Sequence, residues 1–227
     1  MVLKILRRLP ARAVLVAIAV LSSRSIWLQS ALATDTAKPQ TIVVLGDSLA
    51  AGYGLEPSEA FPALLQQKLE GAGLNHKVVN AGLSGDTTAG GLRRLDWLLR
   101  QKMDVLIIEL GGNDGLRGIQ PEVTRSNLQA IIDRTRNKYE SARIILAGMR
   151  MPPNMGPEYT AKFQSLFPAL AKENHLTLVP FLLEGVGGDR ALNQADQIHP
   201  TAAGQKVVAE NVWRVLKPLL DEPAPKL

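Results

Sequence analysis

The sequence predicts an α/β fold, a three-layer α/β/α sandwich built on a mostly parallel sheet of five strands. Short runs rich in Val, Ile and Leu alternate five times with longer segments of helical periodicity. The short runs are apolar throughout, which is typical of parallel strands that helices cover on both faces. No internal repeat or low-complexity linker interrupts this order, so we expect one domain here.

The predicted strands are the short apolar runs, and a glycine directly follows the first, third and fourth. In chain order they are Thr41–Leu45, Lys77–Asn80, Asp104–Leu110, Arg143–Ala147 and Thr177–Pro180. Among the helical segments, Pro121 suits a first helical turn, and Gly71 and Gly73 suit a helix end. The predicted helices are Phe61–Glu70, Thr88–Lys102, Pro121–Tyr139, Tyr159–Asn174 and Ala202–Leu220.

Residues 1–33 are predicted to be a signal peptide, and residues 34–227 a single domain. Four basic residues between Lys4 and Arg12 precede an apolar run, residues 13–21, and Ala31-Leu32-Ala33 is a small-x-small cleavage site. The apolar run is much shorter than the roughly 20 residues that a membrane-spanning helix needs. We therefore expect a periplasmic or secreted protein, with an uncleaved N-terminal anchor as the alternative.

The basic charge of the chain belongs to this N-terminal segment. The chain has 26 Lys and Arg against 21 Asp and Glu, a net charge of +5, and residues 1–33 hold five of the basic residues and no acidic one. The remainder is formally neutral, which gives no support for nucleic-acid binding. The chain contains no cysteine, which excludes a disulfide, a thiolate metal site and a cysteine nucleophile.

One serine follows the first predicted strand, at the edge of the sheet where open α/β folds bind ligands. Ser48 lies in the turn Gly46-Asp47-Ser48-Leu49, just before a glycine-containing loop. A serine hydroxyl is a weak nucleophile and needs a base to accept its proton. Ser48 is therefore a candidate nucleophile that requires a histidine.

The base predicted for this serine is His199. Of the three histidines, His76 begins a strand and His175 ends a helix, so both are interpreted as structural or surface residues. His199 precedes the last helix, three residues after Asp196, and a carboxylate at that spacing can accept the imidazole Nδ1–H. Asp196 could instead cap the helix. The candidate nucleophile Ser48 upstream, with no better-placed histidine in the chain, favours a Ser-His-Asp triad.

Two further motifs follow the second and third strands and could hold the oxyanion of a tetrahedral intermediate. The candidate donors are the backbone N–H groups of Ser48 and Gly85 and the side-chain amide of Asn113. Gly85 permits a close approach that a larger residue would block. Ordinary turn chemistry is the alternative reading for both Gly85 and Asn113.

Three aspartates beside these candidates, Asp47, Asp86 and Asp114, are interpreted as turn or cap residues. Together they could suggest a site for a hard cation, but no run of metal ligands accompanies them. We therefore predict no metal site.

The four motifs, in this order, resemble those of the SGNH or GDSL-type hydrolases, most closely the bacterial thioesterase I, lysophospholipase L1 and arylesterase group. The residues that carry the resemblance are Gly46-Asp47-Ser48-Leu49, Ser84-Gly85-Asp86-Thr87 within residues 80–88, Gly111-Gly112-Asn113-Asp114 and Asp196-Gln197-Ile198-His199-Pro200. The resemblance covers residues 41–220. It implies that Ser48, His199 and Asp196 are the triad and that Ser48, Gly85 and Asn113 form the oxyanion hole, with Gly82 as the alternative to Gly85.

The resemblance also implies a flavodoxin-like fold, no cofactor and an exposed site that accepts several kinds of ester. Residues 115–120 resemble a mobile loop that responds to acyl chains in that group, and residues 151–156 resemble its other substrate-lining loop. The implied substrate-binding residues are Gly115, Leu116, Ile119, Met151 and Pro152.

We therefore expect an exported serine esterase that hydrolyses carboxylic esters and thioesters, including acyl and aryl esters and lysophospholipids, through an acyl-enzyme. A carbohydrate O-acetylesterase is the alternative, although sugar sites favour aromatic platforms and the chain has only three Trp and three Tyr. A further alternative is a non-catalytic acyl-binding module, but such a protein would be expected to lack a triad member, and none is missing from this sequence. The expected partners are small acyl esters or lipids, with no nucleic acid and no membrane span after signal cleavage, and we expect a monomer.

Overall fold

The computed structural model describes residues 38–222, so the predicted signal segment and its cleavage site lie outside the described residues. Five parallel strands form one sheet in the order β2-β1-β3-β4-β5. They are β1 Gln40–Gly46, β2 His76–Gly82, β3 Val105–Glu109, β4 Arg143–Ala147 and β5 Thr177–Val179. The predicted fold class is confirmed, and the predicted strand ends differ from these by at most two residues.

Helices cover both faces of the sheet. Within residues 38–222 they are α1 Ser48–Ala51, α2 Phe61–Gly71, α3 Thr88–Leu98, α4 Gly112–Leu116, α5 Pro121–Lys138, α6 Pro157–Glu173 and α7 Ala202–Asp221, with 3₁₀ turns at Pro57–Glu59 and Pro153–Met155. Helix α2 packs against α7, and α5 packs between α3 and α6. Right-handed crossovers place α2 on one face and α3, α5 and α6 on the other, because the chain crosses the sheet in opposite directions before and after β2.

The chain reverses its direction across the sheet beside β1. Strand β2 lies on one side of β1, and β3, β4 and β5 follow on the other. The register aligns Gly46, the last residue of β1, with Gly82 of β2 and Glu109 of β3. Connections that leave such a switch point diverge to opposite faces and open a crevice at the carboxyl ends of the strands.

The two central strands are the most completely buried part of the sheet. Residues 42–45 of β1 and 105–108 of β3 have no exposed surface. Their unbroken Val, Ile and Leu runs match the burial of both faces. The carboxyl ends of β1 and β3 are therefore held by the core of the protein.

The second predicted helix, Thr88–Lys102, differs from the structure at its carboxyl end. The helix expected to reach Lys102 ends at Leu98, because the buried Met103 requires the chain to turn back toward β3. The N–H of Arg100 donates to the carbonyl of Trp97 at 3.2 Å, which tightens the last turn to i, i+3 bonding.

Helices α1 and α4 were not predicted from the sequence. Each has five residues or fewer, which is too short to display a helical period. No helix within residues 38–222 is long and apolar enough to cross a membrane.

Removing a side chain from the centre of β3 should destabilise the fold. Ile107 is fully buried, and truncation of such a residue to alanine typically costs about 2–5 kcal/mol. We expect Ile107→Ala to lower the free energy of unfolding in urea by this amount. Val123→Ala, at a half-exposed position on α5, should change it by less than about 0.5 kcal/mol. Equal losses in the two variants would contradict the central position of β3.

Candidate active site

Ser48 is the first residue of α1 and directly follows the end of β1. Asp47 caps this helix, since its Oδ1 accepts the N–H of Leu49 at 3.0 Å. The predicted cap role of Asp47 is thus confirmed. Helix α1 ends at Ala51, with Gly52 as its C-cap, and this short helix leaves Ser48 buried at the wall of a cavity.

The structure brings the three predicted triad residues into one hydrogen-bonded chain. The Ser48 Oγ lies 2.9 Å from Nε2 of His199. The other ring nitrogen of His199, Nδ1, lies 2.6 Å from Oδ2 of Asp196. Both separations are within hydrogen-bond reach, as proton transfer from a serine to an oriented imidazole requires.

The tight turn from Asp196 to His199 fixes the carboxylate in place. Asp196 Oδ1 accepts the backbone N–H groups of Ile198 at 2.9 Å and His199 at 3.0 Å. Gln197, between them, has a left-handed backbone with φ of 59°. With Oδ1 bound to the backbone, Oδ2 is left for the imidazole.

These hydrogen bonds decide the charge of Asp196. The bond from the His199 ring, followed by the bond from its backbone N–H, lowers the pKa of Asp196 to about 2. The side chain of Asp196 is 38% exposed, so burial opposes this effect only weakly. Asp196 is therefore a carboxylate throughout the neutral range and stabilises a protonated imidazole.

Gln194 ties the histidine turn to the segment that follows Ser48. Its Nε2 donates to the carbonyl of Tyr53 at 2.7 Å and to that of Pro200 at 3.0 Å. The ring of Tyr53 packs against that of His199, with centroids 4.4 Å apart. His199 is thus positioned by contacts with the segment that follows Ser48.

Two of the predicted oxyanion donors are unused within the part of the chain that the structure describes. The backbone N–H groups of Ser48 and Gly85 donate to no other residue in 38–222. Gly85 is the third residue of a turn closed by the N–H of Asp86 on the carbonyl of Leu83 at 3.0 Å. Its φ of 80° is the one that a type II turn requires at this position, which favours glycine.

Gly82, the alternative to Gly85, has a packing role. A side chain at Gly82 would collide with the backbone of Ala50 and Ala51 in α1. The N–H of Gly82 is also taken, since it donates to the side chain of Asn80 at 2.9 Å. Of the two glycines, Gly85 is the one with an available donor.

Asn113, in α4, has its amide orientation fixed by two acceptors. Its Nδ2 donates to the carbonyl of Asp86 at 2.9 Å and to Oδ2 of Asp47 at 3.1 Å. In the flipped orientation the amide oxygen, which cannot donate a hydrogen bond, would face both acceptors. The NH₂ group of Asn113 therefore lies between the nucleophile turn and the Gly85 turn.

Arg94 holds the Gly85 turn against the ends of two strands. Its Nε donates to Asp86 Oδ2 at 2.7 Å, and its terminal nitrogens donate to the carbonyls of Ala81 at 2.6 Å and Gly46 at 2.8 Å. The guanidinium satisfies three acceptors at once, which a lysine could not do with this geometry.

The third aspartate, Asp114, joins α4 to the start of α3. Its carboxylate is fully buried and accepts the backbone N–H of Thr88 at 2.8 Å and the hydroxyl groups of Thr88 and Thr124. All three aspartates near the site thus have structural partners. Within residues 38–222 no group of three or more His, Asp or Glu is arranged to hold a metal ion.

A cavity of about 470 Å³ opens beside Ser48 and His199. Most of its wall is apolar. The apolar side chains that line it are Leu49, Leu116, Met149, Met151, Pro152, Pro153, Phe181, Leu183 and Ile198. Arg150 also lies in the wall, with its guanidinium over the ring of Phe181 at 4.6 Å. The cavity can accept an extended apolar group whose reacting end lies at the serine.

Of the five residues predicted to bind substrate, three line the cavity and two do not. Leu116, Met151 and Pro152 line the cavity. Gly115 lies behind Met151, whose side chain fills the space that a side chain at Gly115 would need. Ile119 is not among the lining residues, and its carbonyl accepts the Tyr159 hydroxyl at 2.7 Å.

The remaining two histidines lie away from this site, at the amino end of the sheet. His76 begins β2, and burial lowers its pKa below that of a free imidazole. His175 is exposed just after α6 and before β5.

Several contributors to the site were not predicted from the sequence. Gln194 and Arg94 act through backbone carbonyls that no motif reveals. Residues 184–195, which could not be interpreted from the sequence, supply Gly187, Gly188 and Asn193 to the cavity wall. Glu109 offered one readable signal, a charged residue at the end of an otherwise apolar strand.

Comparison with known proteins agrees with the resemblance noted in the sequence. The model of the GDSL-like lipase/acylhydrolase family matches residues 44–207, which include all four motifs. This match covers more than half of the chain.

Three curated relatives are similar over most of their length. Esterase TesA of Pseudomonas aeruginosa is 48% identical over 190 residues, 83% of this chain and 94% of the relative. Thioesterase 1/protease 1/lysophospholipase L1 of Escherichia coli is 41% identical over 186 residues, 82% and 87% of the two chains. An arylesterase of Vibrio mimicus is 38% identical over 193 residues, 85% and 96% of the two chains.

Solved structures show the same fold. The crystal structure of TesA has a TM-score of 0.76 at 48% identity and covers 79% of this chain and 99% of its own. Esterase EstA from Pseudoalteromonas sp. has a TM-score of 0.76 at 35% identity and covers 81% and 100% of the two chains. The chain described here belongs to the GDSL-like lipase/acylhydrolase family, the SGNH hydrolases, and is an ester hydrolase.

Proposed function

We propose that this chain is an exported serine esterase that cleaves acyl esters, aryl esters and thioesters through an acyl-enzyme on Ser48. The observation that supports it most directly is the hydrogen-bonded chain from Ser48 through His199 to Asp196 at the mouth of an apolar cavity. Export is inferred from the basic and apolar pattern of residues 1–33.

In the proposed acylation step, the Ser48 Oγ attacks the carbonyl carbon of the ester while its proton moves to Nε2 of His199. The resulting imidazolium is stabilised by the Asp196 carboxylate, which also holds the proton on Nδ1. His199 then gives its proton to the leaving oxygen or sulfur, and the bond to the leaving group breaks. Water then attacks the carbonyl carbon of the acyl-enzyme and gives a proton to Nε2 of His199. His199 passes this proton to the Ser48 Oγ as the bond to the serine breaks and the acid is released.

The proposed oxyanion site combines the N–H groups of Ser48 and Gly85 with the amide of Asn113. The first two are unused within residues 38–222, so they can donate hydrogen bonds to the developing oxyanion without losing another bond. The Asn113 amide would share one of its two hydrogens, which Asp47 and Asp86 hold in the absence of substrate. Each such donor is typically worth about 10²–10³ in rate.

The proposed substrate class follows from the cavity. Its wall is formed mainly by Leu, Met, Pro and Phe side chains, which suits an acyl chain better than a sugar. The names of the relatives include arylesterase, thioesterase and lysophospholipase activities. We propose that this chain shares the ester and thioester activities and acts on lysophospholipids, whose single acyl chain fits the same cavity.

The nucleophile can be tested with p-nitrophenyl esters from acetate to palmitate and a chain that begins at Thr34. We expect Ser48→Ala to lower kcat/KM by roughly 10⁴-fold or more on every ester, as loss of the nucleophile does in other serine hydrolases. Ser165→Ala, at an exposed position on α6, is the matched control and should retain full activity. Turnover retained in folded Ser48→Ala would refute the proposal, and preference for acetate would favour the carbohydrate O-acetylesterase alternative.

The role of Asp196 can be tested through both rate and stability. We expect Asp196→Asn to lower kcat by about 10²–10⁴-fold at pH 8, because an amide does not enforce the required imidazole tautomer. The pKa of Asp196 is about 2 in the folded protein, below its value in an unfolded chain. Its contribution to stability is therefore present above about pH 4 and is lost as the pH falls toward 2.

Urea unfolding at pH 7 and at pH 3 measures this second effect. The wild type should be more stable than Asp196→Asn at pH 7, and the difference should shrink at pH 3. A difference that grows at pH 3 would contradict the assignment of Asp196 as an ionised partner of His199.

The acyl cavity can be tested through Gly115, which lies outside it. A methyl group at Gly115 would displace the side chain of Met151, a cavity residue. We expect Gly115→Ala to lower kcat/KM for long-chain esters by about tenfold relative to acetate, the scale of one methylene misfit in an apolar pocket. Gly71→Ala, at the last residue of helix α2, where no atom lies within 4 Å of the added methyl group, controls for replacement of a helical glycine. An unchanged chain-length profile in Gly115→Ala would place the acyl chain elsewhere.

A further inference from the structure

Glu109 is a completely buried carboxyl group that the proposed reaction does not use. It is the last residue of β3 and has no exposed surface. A buried charge without a partner is strongly unfavourable, so a buried glutamate must be paired or neutral. Within residues 38–222 no basic side chain forms an ion pair with Glu109.

The side chain of Glu109 reaches under the turn that carries Ser48. Its Oε2 accepts the backbone N–H of Asp47 at 3.0 Å and that of Ala50 at 3.1 Å. The absence of a side chain at Gly46 makes room for this oxygen. One carboxyl oxygen thus binds the chain on both sides of the nucleophile.

The second oxygen of Glu109 indicates its protonation state. Oε1 is buried and accepts no hydrogen bond from any described residue. If Glu109 were ionised, Oε1 would lack a donor and would lie close to the carboxylate of Asp47. Protonation of Glu109 removes the unpaired buried charge and provides a hydroxyl that the neighbouring Asp47 carboxylate can accept.

The electrostatic surroundings agree with this assignment. Burial, followed by the charge of Asp47, raises the pKa of Glu109 well above its usual value, and burial raises the pKa of Asp47 to about 6. The other charged groups at this corner are His199, which favours the ionised form of Asp47, and Arg94, which binds the carbonyl of Gly46. The two hydrogen bonds that Asp47 accepts, from the N–H of Leu49 and the amide of Asn113, favour Asp47 as the member of the pair that is ionised.

The hydrogen bonds of this pair determine which groups remain available for an oxyanion. The N–H groups of Asp47 and Ala50 are bound by Glu109, and that of Leu49 by Asp47. The N–H of Ser48 alone in this turn has no acceptor within residues 38–222. The same Asp47 carboxylate accepts the amide of Asn113 and so orients a second donor.

We propose that Glu109 is a neutral carboxylic acid that acts as a positioning residue, holding the nucleophile turn directly and the Asn113 amide through Asp47. The kinetic part of this proposal rests on the proposed esterase function. The protonation state does not, and it can be measured without any substrate.

The protonation state can be tested by urea unfolding of the wild type and Glu109→Gln between about pH 6.5 and 8.5. If the folded wild type keeps a proton on Glu109 that the unfolded chain releases, its stability falls as the pH rises. The ratio of the unfolding constants of wild type and Glu109→Gln should then increase by up to tenfold per pH unit. Glu140→Gln, at an exposed position, controls for the general effect of removing one carboxyl group.

A ratio that is constant across this pH range would show that Glu109 is ionised in the folded protein and would overturn the proposal. This result is independent of catalysis. It distinguishes a failure of the proposal from a failure of the esterase assignment, which would appear as absence of ester turnover in the wild type.

The positioning role can be tested by comparing Glu109→Gln, Glu109→Leu and Asp47→Asn on p-nitrophenyl butyrate. A glutamine can accept the two N–H groups and donate to Asp47, so kcat should stay within about fivefold of the wild type, the worth of one ordinary hydrogen bond. Glu109→Leu removes the acceptor, and Asp47→Asn places an amide group against that of Asn113. Both should lower kcat by about 10²-fold, with KM changed much less.

Two kinetic outcomes would overturn the proposal. Equal losses in Glu109→Gln and Glu109→Leu would mean that the neutral acid is not what the site requires. Unchanged kcat in folded Glu109→Leu would mean that Glu109 contributes only to stability. Should Glu109→Leu not fold, unchanged kcat in Asp47→Asn would have the same meaning for the link to Asn113.

Discussion

The alignment of three strand ends is the constraint on which the rest of the site depends. Gly46, the last residue of β1, pairs with Gly82 on one side and with Glu109 on the other. Because the strands are parallel and in register, all three end at the same edge of the sheet. The segment that follows each strand carries one of the sequence motifs. Arg94 ties the end of β1 to the Gly85 turn, because it donates to the carbonyl of Gly46 and to the side chain of Asp86. The relative positions of the proposed nucleophile and the proposed oxyanion donors are therefore set by backbone pairing in the core, with side-chain contacts as a second restraint.

The same edge of the sheet keeps its acidic groups in two different states by two different environments. Asp196 lies in an exposed turn and accepts three hydrogen bonds, which lower its pKa to about 2 and keep it charged beside the base. Asp47 and Glu109 lie in the core, where burial raises the pKa of both. In the proposed mechanism, a charge at Asp196 assists proton transfer at His199, whereas a second charge at the buried pair would repel the oxyanion. Separation of pKa values by environment is how one site can combine acid, base and structural carboxyl groups.

The sequence could predict those features that depend on local pattern. The apolar runs predicted the sheet. The candidate site could be predicted from a serine and an asparagine after strands and a histidine before a helix, because parallel strands bring such positions together. Helices α1 and α4 could not be predicted, since four or five residues do not display a period. The tie from Gln194 to the carbonyl of Tyr53 could not be predicted either, because a bond to a backbone carbonyl leaves no mark on the partner's residue type. The state of Glu109 depends on complete burial and on Asp47, 62 positions away, so only the folded arrangement reveals it.

The groups of the proposed chemistry and much of the proposed acyl-binding wall follow different strands. Strands β1, β2 and β3 lead to the candidate nucleophile and the candidate oxyanion donors, while Met149 and Phe181, just beyond the ends of β4 and β5, enter the wall of the cavity. The segment that follows β5 adds Gly187 and Gly188 and then leads to His199. A change in this wall can alter the length or shape of the acyl group without moving the donors, because the wall does not take part in the pairing of Gly46 with its neighbours. A change beneath the Ser48 turn acts first on the candidate donors, and it reaches the cavity only through the residues of that turn that line it, such as Leu49. Under the proposed function, this division would allow one set of catalytic groups to serve acyl, aryl and thioester substrates.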